Sequence, residues 1–159
     1  MAKPIPEGFH SVTPSITVRD GGQAIEFYKR AFGAQELVRF PGPDGKSLMH
    51  GELKIGDSIV MLNEEMPDKN VRAPVSTGAP TGALYVYVPD VDNAFKRAVD
   101  AGAKVLMPVT DMFWGDRLAQ VEDPSGHRWS LATHKEDVSP EEMDRRGREF
   151  FAKMGQQKK

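Results

Sequence analysis

The chain states one pattern twice, about 70 residues apart, and that repeat constrains its fold more than any single residue does. Val18-Arg19-Asp20 leads a helix-like stretch that ends Phe32-Gly33-Ala34, and Val88-Pro89-Asp90 leads another that ends Ala101-Gly102-Ala103. Each copy then runs through alternating segments to a matching finish, Ser58-Ile59-Val60-Met61-Leu62 and His127-Arg128-Trp129-Ser130-Leu131. Two copies are too few for a solenoid, so the units must bury their apolar faces against each other. A pseudo-twofold pair with a shared groove follows, and function is expected in that groove.

Local signals fill in each unit. In the first, polar and apolar residues alternate over 13–18, and Asp20-Gly21-Gly22 can cap a helix start. Ile25, Tyr28 and Phe32 follow as one buried stripe, and Gly33 stops the helix. Strands are predicted over 36–40, 47–55 and 58–63, with a Gly56-Asp57 hairpin turn between the last two. The second unit repeats this with strands over 84–88, 104–109, 116–121 and 127–133, and a helix burying Val91, Phe95, Ala98 and Gly102. Its Asp123-Pro124-Ser125-Gly126 turn corresponds to Gly56-Asp57. The fold class is therefore α+β: two βαβββ modules forming a curved mixed sheet around a groove, plus a C-terminal helix. The expected boundaries are 10–64 for module 1, a Pro- and Gly-rich linker over 65–82, 83–134 for module 2, and a C-terminal helix and tail over 135–159. Ser139-Pro140-Glu141-Glu142 supplies the cap of that last helix, whose Met143, Phe150, Phe151 and Met154 form a stripe for docking on the body or on a second subunit.

Composition narrows the partners. A net charge of −2 provides no basic field for nucleic acid. No apolar run reaches membrane-spanning length, and the first residues lack the apolar core of a secretory leader. Cysteine is absent, which removes disulfides, thiolate metal sites and a cysteine nucleophile. A cytoplasmic protein is expected.

The paired modules, the V-x-D turns and the Glu122-Asp123-Pro124-Ser125-Gly126 turn resemble the vicinal oxygen chelate superfamily, over roughly residues 9–137. That superfamily includes glyoxalase I, extradiol dioxygenases, and the bleomycin- and fosfomycin-resistance proteins. The segment from Phe113-Trp114-Gly115-Asp116-Arg117 through Trp129 to His134 is similar to a largely uncharacterised glyoxalase-like branch. Metal enzymes of the superfamily place His and Glu ligands at four symmetric strand positions. The resemblance maps those positions onto Thr13, Met61, Ala83 and Ser130. A divalent ion needs imidazole nitrogen or carboxylate oxygen, which none of the four offers. Neither metal nor other cofactor is therefore expected, and the resistance proteins imply a homodimer that binds a small molecule.

Strand alternation suggests what fills the groove instead. His50, Glu52 and Lys54 face away from the helix, as do Thr13, Ser15, Tyr85, Tyr87, Arg128, Ser130 and His134. His50 and Glu52 could form an acid–base pair or part of a displaced metal site, or simply a solvated polar face. Trp114 could stack on a ligand while Asp116 and Arg117 orient it; alternatively, Trp114 caps the sheet and Asp116 pairs with Arg117 or a turn amide. His10 reads as a surface residue and His127 as a replaceable turn residue. Two functions remain. The first is metal-free binding of a small, partly aromatic molecule by Thr13, Ser15, His50, Met61, Tyr85, Tyr87, Trp114, Arg117, Arg128 and Ser130, with antibiotic sequestration as one use. The alternative is a metal-dependent lyase, isomerase or dioxygenase with a relocated site on His50 and Glu52.

Overall fold

The computed structural model describes residues 3–156. Module 1 contains β1 (Ser15–Val18), α1 (Gly21–Phe32), β2 (Gln35–Pro41), β3 (Leu48–Ile55) and β4 (Ser58–Glu64). Module 2 repeats it with β5 (Ala83–Tyr87), α3 (Val91–Asp100), β6 (Lys104–Asp111), β7 (Asp116–Glu122) and β8 (Arg128–His134). Each module folds into its own four-stranded mixed sheet, ordered β1-β4-β3-β2 and β5-β8-β7-β6. Among the described residues, no strand of one sheet pairs with a strand of the other. The repeat extends to register: Ser15 lies opposite Met61 and, in the same place of the second sheet, Tyr85 lies opposite Ser130.

The V-x-D motifs cap the helices. Asp20 accepts the Gln23 N–H (2.8 Å) and Asp90 accepts the Asn93 N–H (3.0 Å), satisfying amides that a helix start leaves free. Gly33 ends α1 at φ +65, where a side chain would be strained. The buried arc of α1 is wider than the predicted stripe, taking in Ala24, Phe27 and Ala31 besides Ile25 and Tyr28. The cause is a second neighbour, since α1 packs on its own sheet and also against α3. Gly102 is exposed at φ +104, so it turns the chain after α3 instead of joining the buried face.

One continuous core joins the modules. Trp129 of β8, 1% exposed, lies 4.6 Å from the Phe32 ring and 5.4 Å from Tyr28, both on α1. Beside it sits Asp123, 4% exposed, which accepts from Tyr28 Oη (2.6 Å), Trp129 Nε1 (2.8 Å) and the backbone amides of Ser125 and His127. A buried carboxylate is tolerated here because four donors replace its water. His127 then reaches across the boundary to donate from Nε2 to the Thr17 carbonyl (2.7 Å), so this turn residue fastens the two halves together. Ser125 Oγ likewise accepts the Arg19 N–H (3.1 Å).

The stretch between the modules is not a bare spacer. It forms a 3-10 turn, Pro67–Lys69, and a short helix, α2 (Pro74–Thr77). Glu65 accepts the Ala73 N–H and the Ser76 hydroxyl, while the Val75 N–H reaches Ser125 O (2.9 Å). The C-terminal helix α4 (Pro140–Gln156) docks on the body through Phe150, whose ring lies 5.4 Å from Phe113. Gly147 faces that same ring. Phe151 and Met154 remain exposed.

Candidate functional site

Module 2 gathers an aromatic and polar cluster on the sheet face opposite α3. Register places Tyr85 beside Ser130, Tyr87 beside Ala132, and Asp116 beside His134. Asp116, 4% exposed, is the hub. Its Oδ2 accepts from Tyr85 Oη (2.9 Å), Tyr87 Oη (3.1 Å) and Trp114 Nε1 (3.2 Å), while Oδ1 accepts from His134 Nδ1 (2.9 Å). The tyrosine rings are 5.2 Å apart and largely exposed, 46% and 63%. A shelf results, with two ring faces open and both hydroxyls held.

Titration follows from these contacts. Burial, then the hydrogen bond and charge of Asp116, push the Tyr85 phenol up to about 12. For Asp116, burial works upward, but the bonds from His134, Tyr85, Tyr87 and Trp114 outweigh it and leave the carboxyl below 3.8. Bonds to Asp116, then to Asp137, raise His134 above 6.5. The raised imidazolium stabilises the fold fully below pH 6.5 and loses that contribution as pH rises through its folded value. The depressed Asp116 contributes above 3.8 and is lost as pH falls through its own folded value. An NMR titration should therefore find the His134 ring protonated past 6.5, and Asp116→Asn should return it toward 6.5. An unmoved midpoint would refute the pairing.

Module 1 presents a smaller group on its corresponding face. His50 Nε2 lies 3.0 Å from Glu52 Oε1, with Glu52 opposite Met61 and His50 opposite Phe40. No cluster of three His, Cys, Asp or Glu side chains suited to a metal occurs among the described residues. Thr13 donates to His10 O (3.0 Å), and Ser130, 4% exposed, accepts from Gln120 Nε2 (3.2 Å). Ser15 and Arg128 are exposed. Arg117 faces away from the shelf. It shares the helix face with Thr133, and its guanidinium grips Asp92 on α3 (2.8 and 2.9 Å) and Asp111 (2.9 Å). Successive strand residues point to opposite faces, so Asp116 and Arg117 cannot serve one site.

A cavity of about 910 Å³ lies between the modules. Phe32, Val60, Trp129 and Leu131 supply apolar wall, and every residue of β5 from Leu84 to Tyr87 borders it. Of the predicted ligand contacts, Thr13, Tyr85 and Tyr87 reach this space, while Ser15, His50, Met61, Trp114, Arg117, Arg128 and Ser130 do not. The tyrosines thus connect the cavity to the Asp116 cluster. Sequence reasoning missed Asp116 as the hub, although a carboxylate at the start of a strand, two residues before the apolar pair Leu118-Ala119, was a signal for it.

The family profile of the glyoxalase/bleomycin resistance protein/dioxygenase superfamily matches residues 8–131. The chain belongs to this superfamily. Among relatives, an uncharacterized protein of Mycobacterium bovis, Mb0911c, is 42% identical over 136 residues, covering 84% of this chain and 89% of that one. TioX from Micromonospora sp. ML1 is similar in structure, with a TM-score of 0.61 and 29% identity over 79% of this chain and 98% of its own. The fosfomycin resistance protein FosX of Listeria monocytogenes, solved with Mn(II) and sulfate, shares the fold at TM-score 0.61 and 15% identity, over 84% and 95% of the two chains. The superfamily's metal enzymes prompt a test of fit here. At the four corresponding positions, both hydroxyls are already hydrogen-bonded, Met61 offers a thioether and Ala83 offers nothing. That donor set does not fit a divalent ion.

Proposed function

We propose that this superfamily member binds a small, partly aromatic molecule in the cavity between its modules, without a metal ion. The observation that carries the reading is the cavity itself, with apolar walls and a tyrosine shelf whose hydroxyls are anchored on Asp116. Its size suits a drug-like ligand, which would be held by burial and stacking and oriented by a few polar groups. Sequestration of an antibiotic is one use that superfamily membership supports. The reading includes a homodimer, for which exposed Val38 and Phe40 beside Glu52 and His50 offer apolar surface. It also includes a cytoplasmic location, in keeping with a cysteine-free chain in which no described helix is long and apolar enough to cross a membrane.

Tryptophan fluorescence tests it, because Trp129 borders the cavity and Trp114 bonds the shelf. A panel of planar aromatic compounds should give saturable quenching that survives chelator treatment, and Tyr87→Ala should weaken it by about tenfold, the loss of one stacking contact. The rival reading is a lyase, isomerase or dioxygenase with metal on the hydrogen-bonded His50–Glu52 pair. It would gain from binding that chelation abolishes and Mn or Zn restores, and that disappears in His50→Ala.

A further inference from the structure

The two module junctions are pseudo-equivalent, but only one is closed. At the first, the free edge of β1 meets the turn between β7 and β8, where His127 donates to the Thr17 carbonyl. The repeat maps Thr17 onto Tyr87 and that turn onto the one between β3 and β4. The closing turn holds five residues, 123–127, whereas its counterpart holds two, Gly56 and Asp57. The shorter turn cannot fill the second junction, and the cavity occupies the difference, with Gly56 and Asp57 on its wall.

The open junction leaves a strand edge unsatisfied. β5 is the outer strand of its sheet, pairing in parallel with β8. The Val88 N–H reaches Ala132 O (2.8 Å), so Leu84, Val86 and Val88 turn their backbone groups toward β8. Alternation then aims the N–H and C=O of Tyr85 and Tyr87 away from β8, on the side of the open junction. No protein partner for these four groups occurs among the described residues. At Tyr87 the carbonyl is the counterpart of the one His127 satisfies at Thr17.

We infer that the cavity ligand is peptide-like: an aminoacyl unit, –NH–CHR–CO–, that pairs with the β5 edge at Tyr87 while its aromatic side chain, on the same face as its cross-strand neighbour, lies beside the Tyr87 ring on the tyrosine shelf. This rests on the binding reading above and names the ligand's chemical class. One residue-like unit presents an N–H and a C=O to the same side, as in a closely spaced antiparallel pair. The N–H would donate to the Tyr87 carbonyl and the C=O accept the Tyr87 N–H. Backbone pairing supplies affinity and the exposed tyrosine rings supply selectivity, as in strand addition. A space of about 910 Å³ commits the site to a small compound.

The test uses the full chain labelled with 15N and three probes: N-acetyl-L-phenylalaninamide, its analogue methylated on the acetylated nitrogen, and 2-naphthol. Expected are shifts of the Tyr85 and Tyr87 backbone amides with the first probe, slowed hydrogen exchange at Tyr87, and at least tenfold weaker binding of the methylated analogue. Equal binding of both amides, or binding of 2-naphthol alone, overturns the inference and leaves the cavity reading intact. Failure of all three to perturb Trp129 or the β5 amides overturns both. Exchange at Tyr87 that is already slow in ligand-free dimer, and speeds up on dilution to monomer, also overturns the inference, because a second copy then holds the edge. A variant in which Gly56-Asp57 is replaced by Asp-Pro-Ser-Gly-His should keep its melting temperature and lose probe binding. Undiminished binding by that folded variant overturns the junction argument.

Discussion

Asp123→Ala should lower the stability of the protein by about 4 kcal/mol and its melting temperature by roughly 12 °C, read by circular dichroism. The substitution strands two buried side-chain donors, Tyr28 Oη and Trp129 Nε1, together with the amides of Ser125 and His127. Each unsatisfied buried donor costs about 1–3 kcal/mol, and water entering the new space recovers part of that. Because the Asp123 turn also positions His127 and Ser125 on β1, the loss should loosen both modules together. Tyr28→Phe removes one donor and leaves the carboxylate three, so it should cost only about 1–2 kcal/mol. Equal losses from the two variants would mean that Asp123 is not the shared hub.

Gly115→Ala should be the most damaging change outside the core, at about 3 kcal/mol, with α4 released from the body. Gly115 sits at φ +98, a conformation strained for any side chain, and an added Cβ would lie 2.1 Å from the Glu136 backbone oxygen. That neighbour is not a flexible tip. Gly115 O accepts the amides of Lys135 and Glu136, so the strap leading to α4 must move as a whole. Movement there should separate Phe150 from Phe113 and disturb Trp114, whose ring lies 5.0 Å from Phe113. Limited proteolysis should cut within α4 in the variant and spare the parent. Equal resistance of the two chains would argue that the strap is not fixed by this contact.

Much of the fold was legible in the residues because capping, turn chemistry and strand alternation are local effects. The V-x-D caps, the Gly33 stop and the equivalence of Ser130 and Met61 in the two copies of the repeat follow from spacing alone. The site was legible only in part. Alternation correctly assigns Tyr85, Tyr87 and His134 to one face, but it cannot say that all three converge on Asp116. It also fails where a neighbour in sequence is mistaken for a neighbour in space: Arg117 adjoins Asp116, yet its partners Asp92 and Asp111 lie on the far side of the sheet. His127 looked replaceable because its partner, Thr17, is 110 residues away. The residues 65–82 read as a spacer because their polar composition does not reveal the clasp between Val75 and Ser125.

The unequal turns have a consequence for how such a protein can diversify. Cohesion between the halves rests on the shared core and on the Asp123 turn, so the Gly56-Asp57 turn, which only borders the cavity, carries little of the folding free energy. Substitutions or insertions near Gly56 can therefore accumulate without collapse, reshaping what the molecule accepts while the duplicated scaffold stays intact.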